Sequence, residues 1–133
     1  MTRRPLALTL ALTFAGSLGG CGELDDSPRV RAPAVEVAGE AVDCLQASNI
    51  RSTRVHDDYT IDFAMTGGRI YRNTLPQRCP GLGFEERFAY ELRTGRLCRV
   101  DTIKVLRPDG LRGPACGLGA FVPVRYAETD AGA

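Results

Sequence analysis

The side chains able to do chemistry in this sequence fall into two sets, a lone histidine with acidic neighbours and a series of cysteines. His56 is the only histidine; Asp57 and Asp58 follow it directly, and Asp62 lies close behind. An imidazole beside carboxylates can move protons or hold a metal ion, and either use would centre a small hydrolase or metal-dependent enzyme here. The same residues also fit a turn after a strand, where short acidic side chains hydrogen-bond the backbone and no chemistry follows. Ser48, Ser52 and Thr53 offer hydroxyls without the nucleophile-elbow pattern that would activate one of them. Asp101 sits in an apolar run and reads as half of an ion pair with Arg99 or Arg87, with a catalytic carboxylate as the competing reading. Gly81-Leu82-Gly83 and Gly117-Leu118-Gly119 lack the strand-to-helix setting of a phosphate-binding loop.

Cys44, Cys79, Cys98 and Cys116 are separated by 35, 19 and 18 residues. A structural zinc site usually draws its ligands from paired C-x-x-C knuckles, and none is present. A redox role calls for C-x-x-C or a thiol activated by neighbouring charge, and the sequence has neither. Two disulfides need only an even count and an oxidising compartment. No metal and no cofactor is expected, and the order of the cysteines leaves three pairings open. In so small a domain each bridge contributes about 2–4 kcal/mol, a large fraction of the total stability.

The elements that must position these residues are short β-patterned runs. Val42–Leu45 is a first candidate strand, with Asn49–His56 as its continuation or a second one. After the Asp57-Asp58 turn, Tyr59, Ile61, Phe63 and Met65 alternate with smaller or polar residues at period two, the clearest strand of the chain. Gly67-Gly68 then supplies positive φ for a hairpin, and Ile70–Leu75 returns. Pro76 ends that strand, and Cys79-Pro80-Gly81-Leu82-Gly83 is a loop that no helix or central strand tolerates. Phe84–Leu92 reads as a strand, a helix over Glu85–Leu92 being the alternative. A tight turn at Thr94-Gly95 would bring Leu97 opposite Leu92 and Cys98 opposite Glu91. Leu97–Leu106 is another β run, Pro108 to Cys116 a loop, and Ala120–Tyr126 a closing strand. Five or six short strands indicate an all-β fold, a small antiparallel barrel or sandwich stapled by two disulfides, over residues 40–126. Residues 127–133 are expected to fray.

The chain ahead of this domain reads as delivery apparatus. Residues 1–20 carry Arg3-Arg4, an apolar run from Leu6 to Ala15 and then small residues, a signal peptide too short to span a bilayer. The run ends Leu18-Gly19-Gly20-Cys21, which resembles the bacterial lipobox, whose cysteine is lipidated and becomes the mature N-terminus. Several acyl chains anchor a protein to a membrane durably, each buried methylene contributing roughly 0.8 kcal/mol. Gly22 stands where an aspartate would resemble an inner-membrane retention signal, so the expected place is the periplasmic face of the outer membrane. Residues 21–39 hold Asp25, Asp26, Pro28 and Pro33 with no periodicity and read as a flexible tether. With 17 basic and 16 acidic side chains in 133 residues, the balance implies no nucleic-acid partner.

Several segments together look like a family of short exported proteobacterial proteins catalogued as a domain of unknown function. They are Cys44-Leu45, Ile50-Arg51-Ser52-Thr53-Arg54-Val55, Asp57-Asp58, Tyr71-Arg72-Asn73, Leu75-Pro76, Arg78-Cys79-Pro80-Gly81-Leu82, Leu97-Cys98, Asp101, Ile103 and Cys116-Gly117-Leu118-Gly119-Ala120-Phe121. The resemblance spans residues 44–124, with Cys-Pro-Gly-Leu and Cys-x-Leu-Gly-x-Phe as its most specific parts. It implies no activity, cofactor or catalytic residue. It does imply the pairs Cys79–Cys116 and Cys44–Cys98.

Two function classes follow. One is a non-catalytic binding or structural module of the periplasm, with an envelope protein or glycan as partner. The other is the small enzyme centred on His56. A concave pocket joining His56 to Asp62 or Asp101 would mark the enzyme, and a continuous exposed loop surface would mark the binder.

Overall fold

The computed structural model describes residues 32–128. It is an all-β, sandwich-like fold whose antiparallel sheets do not close into a barrel. Ten short strands stand where five or six were expected, because several runs break into separately paired pieces.

The largest sheet has the order β1-β10-β5-β4-β3, built from Val35–Val37, Phe121–Tyr126, Ile70–Thr74, Thr60–Met65 and Ile50–Val55. The period-two pattern of β4 does what it predicts: Ile61 and Phe63 are fully buried on the core face. The β4–β5 hairpin turns through Gly67 and Gly68 at φ 94° and 90°, a region that costs a side chain-bearing residue dearly. The β1 strand lies inside the stretch read as tether, so the sheet begins before residue 40. Pro123 sits within β10, and its carbonyl accepts from Ala38 just past the end of β1. Its missing N–H falls on that same side, between the end of β1 and the isolated Val42–Phe121 bridge, where the ladder is interrupted.

Two smaller sheets cover the core face. Cys44–Gln46 (β2) pairs with Arg96–Cys98 (β7), and Phe88–Tyr90 (β6), Thr102–Leu106 (β8) and Arg112–Gly117 (β9) form a three-stranded sheet in the order β6-β8-β9. Leu45, Leu97, Ile103 and Val105 from these sheets meet Phe63 and Phe121 in a single buried cluster. Phe63 packs edge-on against both Phe88 and Phe121.

Three expectations are corrected here. Phe84–Leu92 is not one strand: a single helical turn, Leu82–Glu85 (α1), precedes β6, and Phe84 is 87% exposed. That turn forms because Gly83 fits directly against the backbone of Asp57, where a Cβ would lie 2.9 Å from its Cα, and because Asp58 accepts the Gly83 N–H. Next, the Thr94-Gly95 turn does not return β7 onto β6. Leu97 lies opposite Leu45 and Cys98 opposite Cys44, so β7 is recruited by a distant strand whose buried leucine and cysteine match its own. Last, the presumed loop before Cys116 contains β9, an edge strand in which Gly113 and Pro114 occupy an irregularity of pairing that an edge tolerates.

Both disulfides form, Cys44–Cys98 and Cys79–Cys116, enclosing separations of 54 and 37 residues. The first links the facing ends of β2 and β7; the second ties the Cys79-Pro80-Gly81 loop to β9 across the core.

Candidate functional site

Asp62 lies on the face of β4 opposite the core residues Ile61 and Phe63, in a row with Arg54 on β3 and Arg72 on β5. It is nonetheless 3% exposed. Its Oδ1 accepts from Arg72 Nε at 2.8 Å, and its Oδ2 accepts from Arg72 Nη2 at 3.0 Å, from the Tyr126 hydroxyl at 2.7 Å and from His56 Nε2 at 2.7 Å. Arg72 spends a further donor, Nη1, on the Pro33 carbonyl at 2.9 Å. Burial alone would raise the Asp62 pKa, but the hydrogen bonds from Arg72, Tyr126 and His56 and the Arg72 charge outweigh it, so Asp62 is held below the ordinary carboxylate value. The bond to Asp62 raises Arg72 in turn, and Tyr126 is raised first by burial and then by its bond to the carboxylate.

This arrangement limits what His56 can do. Because the ionised Asp62 only accepts, Nε2 of His56 must carry a proton, and Nδ1 is the nitrogen left for other work. The His56 side chain is 8% exposed. A histidine oriented by a carboxylate is two-thirds of a nucleophilic triad, but the third member is missing: among the described residues no serine, threonine or cysteine side chain hydrogen-bonds His56. The carboxylate is also already paired with Arg72 through two hydrogen bonds. A shallow concavity of about 410 Å3 beside His56 is lined by Thr53, Arg54, Val55, His56 and Glu86, and Asp62 lies beneath it rather than in its wall. Glu86 is the only residue other than glycine with positive φ among those described, where it ends α1.

The remaining predicted residues scatter. Asp57 is buried and accepts the Tyr59 N–H at 2.8 Å, and Asp58 accepts from Gly83 N and from Arg78 Nε at 2.8 and 2.9 Å. The acidic pair therefore serves as a turn and a mooring for α1, and the Asp57 charge also reaches Arg72 of the His56 cluster. Asp101 forms no ion pair with Arg99 or Arg87, which corrects that expectation; its Oδ2 accepts the Cys98 N–H at 2.7 Å and bends the chain between β7 and β8. Arg99 pairs with Asp43 instead. Among the described residues no group of three or more metal-ligating side chains converges. Cys21 lies outside the described residues.

Sequence reasoning missed two features. Asn73 is fully buried and exchanges two hydrogen bonds with Gly119, its Nδ2 donating to the carbonyl at 2.7 Å and its Oδ1 accepting the N–H at 2.9 Å. The pairing joins residues 46 apart, and no local pattern in the sequence marks it. The second is a concavity of about 570 Å3 on the outer face of β6-β8-β9, overhung by the arm that carries β7. Thr102 and Lys104 line it because Ile103 and Val105 take the core face, and Arg93, Arg96 and Arg112 stand around it. The alternation of Thr102–Val105 was a usable signal for the outward Lys104, but no local pattern shows which arginines share that surface. Comparisons of the chain with protein-family models, with curated proteins and with solved structures find no match.

Proposed function

We propose that this protein is a lipid-anchored module of the cell envelope, held through Cys21 on the periplasmic face of the outer membrane, that binds a partner rather than catalysing a reaction. Kinship with the exported proteobacterial proteins it resembles belongs to the same proposal. The lipobox-like Leu18-Gly19-Gly20-Cys21 supports the anchoring, and two disulfides are compatible with an oxidising compartment outside the cytoplasm. The observation that carries the binding reading is a contrast between two places. The acid–base groups are spent on one another in a buried cluster, while the concavity beside the β7 arm is walled by exposed charged side chains. Fractionation of cells expressing the protein and its Cys21→Ser variant tests the anchoring: the variant should leave the membrane and remain folded, and retention in the membrane would reject it.

A second reading, a small hydrolase, is favoured by one observation, the 2.7 Å contact of His56 with Asp62 at the edge of a concavity. Turnover of ester, amide, glycoside or phosphoester substrates by the purified protein, lost in His56→Ala while the fold persists, would replace the binding proposal with this one.

A further inference from the structure

We infer that the cleft between the outer face of β6-β8-β9 and the β7 arm is a docking site for an extended acidic peptide segment of a partner protein. The inference deepens the binding reading and is independent of lipid anchoring.

Its floor and wall are fixed by the fold. Ala89 pairs with Lys104, and its small side chain leaves room beside the outward lysine. The overhanging arm bears Arg93, Arg96 and Val100 and is held in place at three points: the Cys44–Cys98 disulfide, the Asp101 carboxylate on the Cys98 N–H, and the Arg99 N–H donating to the Asp43 carbonyl at 2.8 Å. A site so constrained loses little conformational freedom on binding.

Its charge is distinctive against a nearly balanced chain. Two carboxylates line the cleft, and both are engaged: Glu91 lies 4.0 Å from Arg112, and Asp101 accepts the Cys98 N–H. Arg93, Arg96 and Lys104 have no ion-pair partner among the described residues and share one concave surface. Guanidinium forks recognise carboxylates with two parallel hydrogen bonds, so the surface suits a ligand bearing several carboxylates.

The backbone argues for a peptide. The strands β6 and β7 both border the cleft, and each is hydrogen-bonded to a neighbour on one side only. An extended chain can pair with such an edge while its carboxylates reach the cations. Val100, 85% exposed on the rim, adds a foothold for an apolar side chain. A glycan is less well served: Tyr90 is the one aromatic residue lining the cleft, and its ring is half-buried against Phe88. A phosphate group would find no helix N-terminus or glycine loop there.

The test measures fluorescence anisotropy of a labelled peptide of alternating glutamate and valine with the full-length protein. Its glutamine counterpart, polygalacturonate and vesicles containing phosphatidylglycerol serve as the other arms. The peptide should bind, the glutamine version should not, and binding should fade towards about 1 M salt, where charges are screened beyond about 3 Å. Arg96→Gln with Lys104→Gln should weaken it by about tenfold or more. Arg51→Gln with Arg125→Gln removes the same charge from exposed positions elsewhere and should change it less than about twofold. Equal loss in the two variants, absence of peptide binding, or tighter binding of the glycan or the vesicles would each overturn the proposal. An unchanged melting temperature confirms that the variants, all at exposed positions, are folded.

Discussion

Replacing Asp62 by asparagine should be among the most damaging conservative changes in the domain. The carboxylate receives four hydrogen bonds, two from Arg72 and one each from Tyr126 and His56, at 2.7–3.0 Å. An amide in the same place keeps one accepting oxygen. If that oxygen takes the Oδ2 position, the new NH2 faces Arg72 Nε; if it takes Oδ1, the NH2 faces Arg72 Nη2 and His56 Nε2. Either way two donors oppose each other, and Arg72, whose side chain is 13% exposed, loses its counter-charge. Stranding one partner of a buried ion pair costs about 3–5 kcal/mol. A domain of this size holds roughly 5–15 kcal/mol in all and loses about 4–8 °C of melting temperature per kcal/mol, so the fall should be about 12 °C or more. The effect must also depend on pH. Because folding holds the Asp62 pKa below its unfolded value, the stabilisation is fully present above about pH 4 and is lost as pH falls through the lower folded value. Melting followed by near-ultraviolet circular dichroism, with the disulfides intact, should show a wide gap between wild type and Asp62→Asn at pH 7 that narrows towards about pH 2. Replacing both partners by apolar residues, Asp62→Leu with Arg72→Met, should recover only part of the loss, because the Tyr126 hydroxyl and His56 Nε2 are left without their acceptor. A gap under about 1 kcal/mol at neutral pH, or one that ignores pH, would refute the reasoning.

Other outcomes follow from the same contacts. His56→Ala removes one of four donors to Asp62 and leaves the Arg72 pair, so urea unfolding should show a loss of about 1 kcal/mol, more than an exposed turn residue would give. Gly119→Ala would drive a Cβ into the Thr74 carbonyl oxygen and disturb the Asn73 pairing; a loss of about 1–3 kcal/mol is expected, and a stability equal to wild type would refute the close approach. Under graded reduction Cys44–Cys98, which is half-exposed, should open before Cys79–Cys116, whose sulfurs belong to buried residues. Differential alkylation read by peptide mapping decides the order. Deleting Cys44–Cys98 in a Cys44→Ser, Cys98→Ser variant removes a link across 54 residues and should cost on the order of 4 kcal/mol.

What was legible in the chain alone rested on local rules. The β4 alternation, the Gly67-Gly68 hairpin and the Asp57-Asp58 turn depend on a two-residue period or on backbone angles that few residues accept, and the structure places each where those rules do. The four cysteines from Cys44 to Cys116, with no metal knuckle or redox pair among them and an export-like leader ahead, implied two disulfides, and both form. Partner choice was not legible by those rules. Phe84 had the right spacing to face inwards with Phe88, yet Gly83 and Asp58 pulled it into a helical turn. The arm after Tyr90 had a suitable turn for a hairpin, yet β7 found β2. His56 was noticed for its sequence neighbours Asp57 and Asp58, while its bond goes to Asp62. That carboxylate is completed by Arg72 and by Tyr126, 64 residues away, just as Asn73 is completed by Gly119, 46 residues away. Such contacts leave no periodicity to read. They arise when strands far apart in sequence come to lie side by side and any buried donor or acceptor must find a partner or be left with its desolvation cost, so both the saturated acid–base cluster and the cationic cleft were decided by the tertiary structure.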